Sequence, residues 1–143
     1  MSVLPDPQSS FGARVRRRLD AETVIWLVTV NSAGVPQPNP VWFLFDPDAE
    51  SLLIYNDHNA RRLAGVDAHP QVAAHFDGNG TGGDIVVFTG ELRHDAGLPP
   101  ANRNDAYLAK YRTEITGIGM DPDSFTERYS VPLRLRIAKV RGH

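Results

Sequence analysis

Residues Thr29–Phe45 read TVNSAGVPQPNPVWFLF, and the prolines Pro36, Pro38 and Pro40 in this stretch fall two apart. In a strand, residues two apart direct their N–H groups to the same edge. All three missing donors therefore lie along one edge, which cannot carry a normal ladder, while the other edge still can. Val35–Phe45 is thus expected to be an edge strand, or a strand whose unpaired side faces a ligand or a second subunit. Just before it, Thr23–Val30 (TVIWLVTV) is apolar on both parities and reads as a strand covered on both faces. Asn31–Gly34 reads as the hairpin turn between the two.

Working outward, Ser51–Asn56, Gln71–Asp77, Asp84–His94 and Val131–Val140 read as four more strands, the last alternating apolar residues with Arg134, Arg136 and Lys139. A helix is expected from Ser9 or Ser10 to about Leu19, with Phe11, Val15 and Leu19 as its apolar stripe. A short helix is expected over Asn59–Asp67, with Leu63 and Val66 inward. Residues 99–116 read as a helix with Tyr107, Leu108, Tyr111 and Ile115 on its inner side. Asp121–Tyr129 reads as another, capped by Asp121 ahead of Pro122. Residues 1–10 form a polar, proline-containing arm, expected to be loose, before a single domain over 11–143. Six strands joined by short connections favour a mainly β fold with short helices, an antiparallel sheet closed into a barrel.

The chain has 143 residues, 41% apolar and 22% charged, the composition of one globular domain with a core of its own. It has no cysteine, which excludes disulfides, cysteine-ligated metal centres and thiol catalysis. A cytoplasmic location is the expectation. No run of eighteen apolar residues exists to span a membrane. The first 22 residues hold four arginines and no apolar stretch of the kind a secretory signal needs. A net charge of −2 argues against a general nucleic-acid binder.

No G-x-S-x-G, H-E-x-x-H or P-loop occurs, and the glycine-rich Gly78–Gly83 reads as a turn. His58, His69, His75, His94 and His143 do not fall at metal-ligand spacing, so no metal site is expected. Three features can carry binding. Arg61 and Arg62 open a short helix directly after a strand, a place where an anion is well received. Trp42 and Phe43 point to opposite faces of their strand, so one packs inward while the other can meet a planar ligand or a partner. Arg14, Arg17 and Arg18 share one face of the first helix.

The run Thr29–Phe45 resembles the "T-V-x-x-x-G-x-P-x-x-x-P-V-W-F" segment of the pyridoxamine 5′-phosphate oxidase-like split β-barrels, and within them the branch that uses the deazaflavin coenzyme F420. The strand Leu52–Asn56, the arginine pair, the short helix and His69–Val72 are similar in order to that family's next segment. His75–Val87 resembles an actinobacterial subgroup of F420-dependent enzymes, and Tyr129–Arg136 resembles the last strand. The resemblance implies a six-stranded split barrel, homodimeric, with a cofactor site at each end of the interface. It implies that backbone groups of Pro40, Val41, Trp42 and Phe43 hold the ring system, with Tyr55 nearby. It also places the phosphate-binding lysine of the family on Arg62, with Arg61 beside it and Asn56 close to the phosphate. Arginine keeps the charge and binds phosphate through two nitrogens. Gly65 and Ala64 replace a family asparagine and arginine. Coenzyme F420 carries an oligoglutamate tail, and the Arg14, Arg17 and Arg18 cluster is the candidate for holding it.

On this resemblance the expected activity is an F420H2-dependent reduction of an unsaturated or quinone-like small molecule. The cofactor carries the difficult chemistry, which accounts for the lack of a visible catalytic dyad. Tyr55 and His75 are the candidate proton donors, with neither selected. Two alternatives stand beside it: the same fold holding FMN as a flavin reductase or oxidase, and a non-catalytic F420 carrier. Pyridoxamine 5′-phosphate oxidase activity itself is not expected, because no counterpart of that enzyme's substrate-binding C-terminal segment is found.

Overall fold

A computed structural model describes residues 1–143. Seven strands form one curled sheet: β1 (Ile25–Val30), β2 (Pro36–Val41), β3 (Leu44–Asp46), β4 (Ser51–Asn56), β5 (Gln71–His75), β6 (Val86–His94) and β7 (Val131–Gly142). Their order is β2-β1-β5-β6-β7-β4-β3, and every pairing is antiparallel. The expected six strands are seven because Val35–Phe45 does not stay one strand. β2 pairs with β1, and after Trp42 and Phe43 the chain resumes as β3, paired with β4. The two edges of the sheet are therefore joined by two residues, and the sheet is curled back on itself by its own chain.

The prolines explain half of this. Pro36, Pro38 and Pro40 sit opposite Val30, Val28 and Trp26 and leave Gln37, Asn39 and Val41 with N–H groups to give β1. The other side of β2 has no strand neighbour, as expected for an edge. The break itself is held by side chains. The Tyr111 hydroxyl accepts from Phe43 N–H at 2.9 Å and lies 2.7 Å from the Thr23 carbonyl and 2.8 Å from the Phe43 carbonyl. The Phe43 carbonyl also accepts from Lys110 Nζ at 2.8 Å. One hydroxyl has one proton to give, and with Lys110 on Phe43 that proton is free for Thr23.

The interior of the curled sheet is filled by Ile25, Leu27, Phe43, Leu52, Ile54, Phe88, Leu133 and their neighbours, closed at one end by Val15 and Leu19 of α1 (Ser10–Ala21). α1 starts where Ser9 Oγ accepts from Gly12 N–H at 2.9 Å. A second apolar cluster lies outside the sheet, beneath a short 3-10 turn (Ala101–Arg103), α3 (Asp105–Gly117) and α4 (Pro122–Arg128). The helix expected over 99–116 is split by Asn104, whose side chain caps α3 by accepting from Tyr107 N–H. Its inner residues Tyr107, Leu108, Tyr111 and Ile115 are buried as expected. Asp121 caps α4 in a reciprocal capping box with Ser124. The strand covered on both faces is β4, every residue of which is buried. β1 alternates buried with half-buried residues instead, because the helices lie over β3 and β4. The first nine residues lie along the domain, with Val3 N–H on the Glu50 carboxylate and Arg16 on the Pro5 carbonyl.

Tyr111→Phe leaves Phe43 N–H and the Thr23 carbonyl short of a partner and is expected to cost about 1–3 kcal/mol in urea denaturation. Burial pulls the Lys110 ammonium from its ordinary 10.5 down to about 8, with Asp20 and Glu22 opposing. Between those values the unfolded chain holds a proton the folded chain has released, so this group's contribution to stability rises with pH. The stability difference between wild type and Lys110→Met should therefore move in favour of wild type from pH 7.5 to pH 9.5. A difference that stays flat across that range would contradict the burial of the charge.

Candidate functional site

Two adjoining pockets meet at Arg62. The first is a polar cleft of about 710 Å³ between the end of β1, the inner face of β2 and the turn before α2 (Leu63–Val66). Thr29, Asn31, Gln37 and Asn39 line one side and Arg61 and Arg62 the other. Gln37 and Asn39 reach it because they alternate with the prolines and share the inward face of β2 with buried Val41. The second is an apolar pocket of about 270 Å³, walled by Pro40, Trp42, Tyr107, Phe125 and Tyr129, with Arg62 at its boundary.

The expected helix over Asn59–Asp67 shrinks to the four residues of α2, with Arg62 at its N-cap position and Arg61 in the preceding turn. Any attraction for an anion here therefore comes from the guanidinium groups and not from a helix end. Gly65 sets how closely α2 approaches β1. A Cβ there would come within 2.3 Å of the Val30 carbonyl oxygen, so α2 docks against the end of β1 only with glycine at this position. The departure from the family asparagine at Gly65 is thus part of how this chain builds the cleft wall.

Arg62 is half-buried, and burial pulls its pKa below the ordinary value, with Asp57 opposing. Its Nε donates to Asn56 Oδ1 at 2.7 Å. Asn56 is itself buried at the end of β4. Asp57 is paired with Arg128 at 2.8 Å and acts on Arg62 only at longer range, so Arg62 has an amide to orient it and no carboxylate in salt-bridge contact. Its two terminal nitrogens remain for a ligand. An unneutralised, partly desolvated guanidinium presents a fork matched to phosphate or carboxylate.

Of the aromatic pair, Phe43 turns inward and is fully buried, whereas Trp42 turns outward. Trp42 stacks on Tyr111 with centroids 4.8 Å apart and on Phe125 at 5.6 Å, and Phe125 stacks on Tyr129 at 4.6 Å. Tyr55 runs under this layer, its hydroxyl donating to the Pro99 carbonyl at 2.6 Å and accepting from Asn104 at 3.0 Å. Pro40, Val41, Trp42, Tyr55 and Arg62 share the apolar pocket, and Arg61 shares the polar cleft. Asn56 joins them through Arg62.

The first-helix arginines are placed elsewhere. Arg14 pairs with Asp84 at 2.6 Å, and Arg18 pairs with Asp84 and Glu22 and donates to the Asp77 carbonyl. These contacts tie α1 to the loop between β5 and β6. Arg17 is exposed, and none of the three lines either pocket. His75 lies against Trp26, likewise outside both. Reading the sequence missed Tyr107, Phe125 and Tyr129 as pocket walls. Their helical spacing signals an inner face but not what lies beneath it.

A family model, pyridoxamine 5′-phosphate oxidase, matches residues 11–142, and the chain belongs to that family. No curated protein matches it in sequence. Among solved structures it is similar to an F420 reductase, at 20% identity and a TM-score of 0.66, over 88% of this chain and 94% of that one. It is similar to a FAD-binding protein from Mesorhizobium loti at 20% identity and a TM-score of 0.64, over 92% and 91%. It is also similar to HutZ, the heme storage protein from Vibrio cholerae, at 14% identity and a TM-score of 0.59, over 91% and 92%. These likenesses establish the fold. No helix is long and apolar enough to cross a membrane.

Gly65→Ala should force α2 off β1 and lower stability by about 1–3 kcal/mol in urea denaturation, the usual cost of overpacking a close contact. Unchanged stability would mean that α2 is free to shift.

Proposed function

We propose that the chain is an F420H2-dependent reductase whose cofactor phosphate is held at Arg61 and Arg62. The observation that carries this reading is Arg62, a half-buried cation without a carboxylate partner where a polar cleft meets an aromatic pocket. The donor set fits a phosphorylated ring cofactor. Arg62 and Arg61 take the phosphate, Asn56 fixes the Arg62 plane, and the stretch from Pro40 to Trp42 faces the ring, whereas the Phe43 backbone is already held by Tyr111 and Lys110. The polar cleft extends past the arginines along Asn31, Gln37 and Asn39. These amides suit a long, hydrogen-bonding tail better than the short ribityl phosphate of FMN. They replace the first-helix arginines as the favoured tail contacts, since Arg14 and Arg18 are already committed to Asp84.

When bound, a deazaflavin supplies hydride from its C5 to an unsaturated acceptor. This chain's residues bind, orient and shield. Arg62 anchors one end, and the Trp42–Phe125–Tyr129 layer walls an apolar space at the other, where water is displaced. The family's homodimer would place a second chain along the unpaired edge of β2, consistent with prolines that refuse a further strand on that side.

Equilibrium titration of the purified chain with F420 and with FMN, side by side, tests the reading. Micromolar or tighter F420 binding with weaker FMN binding is expected. Arg62→Ala should weaken F420 by about 10- to 100-fold, the range for lost hydrogen bonds to a charged group. Asn56→Ala should weaken it less. Preference for FMN would assign the flavin branch. Binding of F420 without turnover of any acceptor would leave a carrier.

A further inference from the structure

We propose that the aromatic pocket between the strand break and α3–α4 binds a second ligand, a small, flat, neutral carbonyl compound, beside the phosphate cleft. The proposal rests on the cofactor reading only in making that ligand the electron acceptor.

Its shape comes from near-parallel rings. Trp42 and Phe125 lie 13° apart in plane, and Phe125 and Tyr129 25° apart. Ile118 stands at the rim and is 50% exposed, one of few large apolar side chains left to solvent. A volume of about 270 Å³ lies just under the low end of small-molecule pockets, roughly 300 Å³. That admits a one- or two-ring molecule, not a three-ring cofactor with its side chain.

The chemistry comes from Tyr107. It lines this pocket and is fully buried, and its hydroxyl has no hydrogen-bond partner. Its ring neighbours are Tyr55, edge-on with centroids 4.8 Å apart, Tyr111 at 4.8 Å and Phe125 at 6.0 Å. A buried polar group without a partner is uncommon and costly. Burial raises the Tyr107 pKa, so the hydroxyl keeps its proton and remains a donor. Arg62 and the Trp42 indole add donor-only groups, and no carboxylate lines the pocket. A ligand that satisfies this wall brings an acceptor oxygen on a flat apolar frame. It is neutral because the charge of Arg62 is assigned to the phosphate in the adjoining cleft.

The test uses 1-indanone and indane, a pair differing at the carbonyl, titrated into the full chain and read by saturation-transfer NMR. 1-Indanone should bind about 5- to 10-fold tighter than indane, the worth of one net hydrogen bond. Tyr107→Phe removes only the unpartnered oxygen. It should erase the preference while leaving indane affinity unchanged. Ile118→Lys, a surface change at the rim, should weaken both ligands. Saturating F420 should leave 1-indanone bound. The proposal is overturned by equal affinity for the pair, by a preference that survives Tyr107→Phe, or by binding of neither compound. It is equally overturned if F420 displaces 1-indanone, since the ring would then fill this pocket. If neither F420 nor FMN binds, the cofactor reading fails, while the indanone comparison still decides this site.

Discussion

A single hydroxyl, that of Tyr111, sits where the chain changes strand partners. Between β2 and β3 the backbone of Phe43 leaves one ladder before joining the next, and its polar groups are in the buried interior of the fold. An unpaired buried amide costs as much as a lost hydrogen bond. Tyr111 takes the Phe43 N–H, and Lys110 takes its carbonyl. The side chains that satisfy the Phe43 backbone at the break both come from α3, so the curl of the sheet and the docking of α3 support each other. The second apolar cluster, the outward stack of Trp42 and the walls of the aromatic pocket all follow from that docking.

The same break sets the faces of the site. Successive residues in a strand point opposite ways, so a chain that buries Phe43 inside the sheet must present Trp42 outside it. Upstream, the alternation continues: the prolines take the outer positions of β2, and Gln37 and Asn39 take the inward ones that line the cleft. A strand whose prolines withhold donors from one edge thus carries both the closure of the fold and one wall of the candidate site.

Periodicity made most of the fold legible. The prolines of β2, the inner face Tyr107–Leu108–Tyr111–Ile115 and the Asp121 cap are local signals, and each is where the pattern places it. Three features were not legible. The division of Val35–Phe45 depends on a tyrosine hydroxyl 68 residues away in sequence. The close docking of α2 on the end of β1 depends on Gly65, whose approach to the Val30 carbonyl only the fold reveals. The commitment of Arg14 and Arg18 depends on Asp84, which only the fold brings near. Spacing along a helix shows that charges share a face, but it does not show what that face meets. In the site, the arginine pair and Trp42 could be picked from sequence, whereas the pocket walls from α3 and α4 required the tertiary structure.

The distinction between structural and functional charge in this chain comes down to partners. Five arginines are partly buried: Arg14, Arg16, Arg18, Arg62 and Arg134. Arg14 and Arg18 hold Asp84, and Arg134 holds Asp46 and Asp95. Arg16 caps the Pro5 and Gly12 carbonyls. Each of these ties two segments together. Arg62 is held by an amide, which fixes the plane of the guanidinium without cancelling its charge. Desolvating a cation without a counter-ion is unfavourable to the fold, and a carboxylate in place of Asn56 would relieve it. It would also neutralise the cation facing the cleft. An amide at this position leaves the charge uncancelled, which is the property the proposed phosphate site relies on.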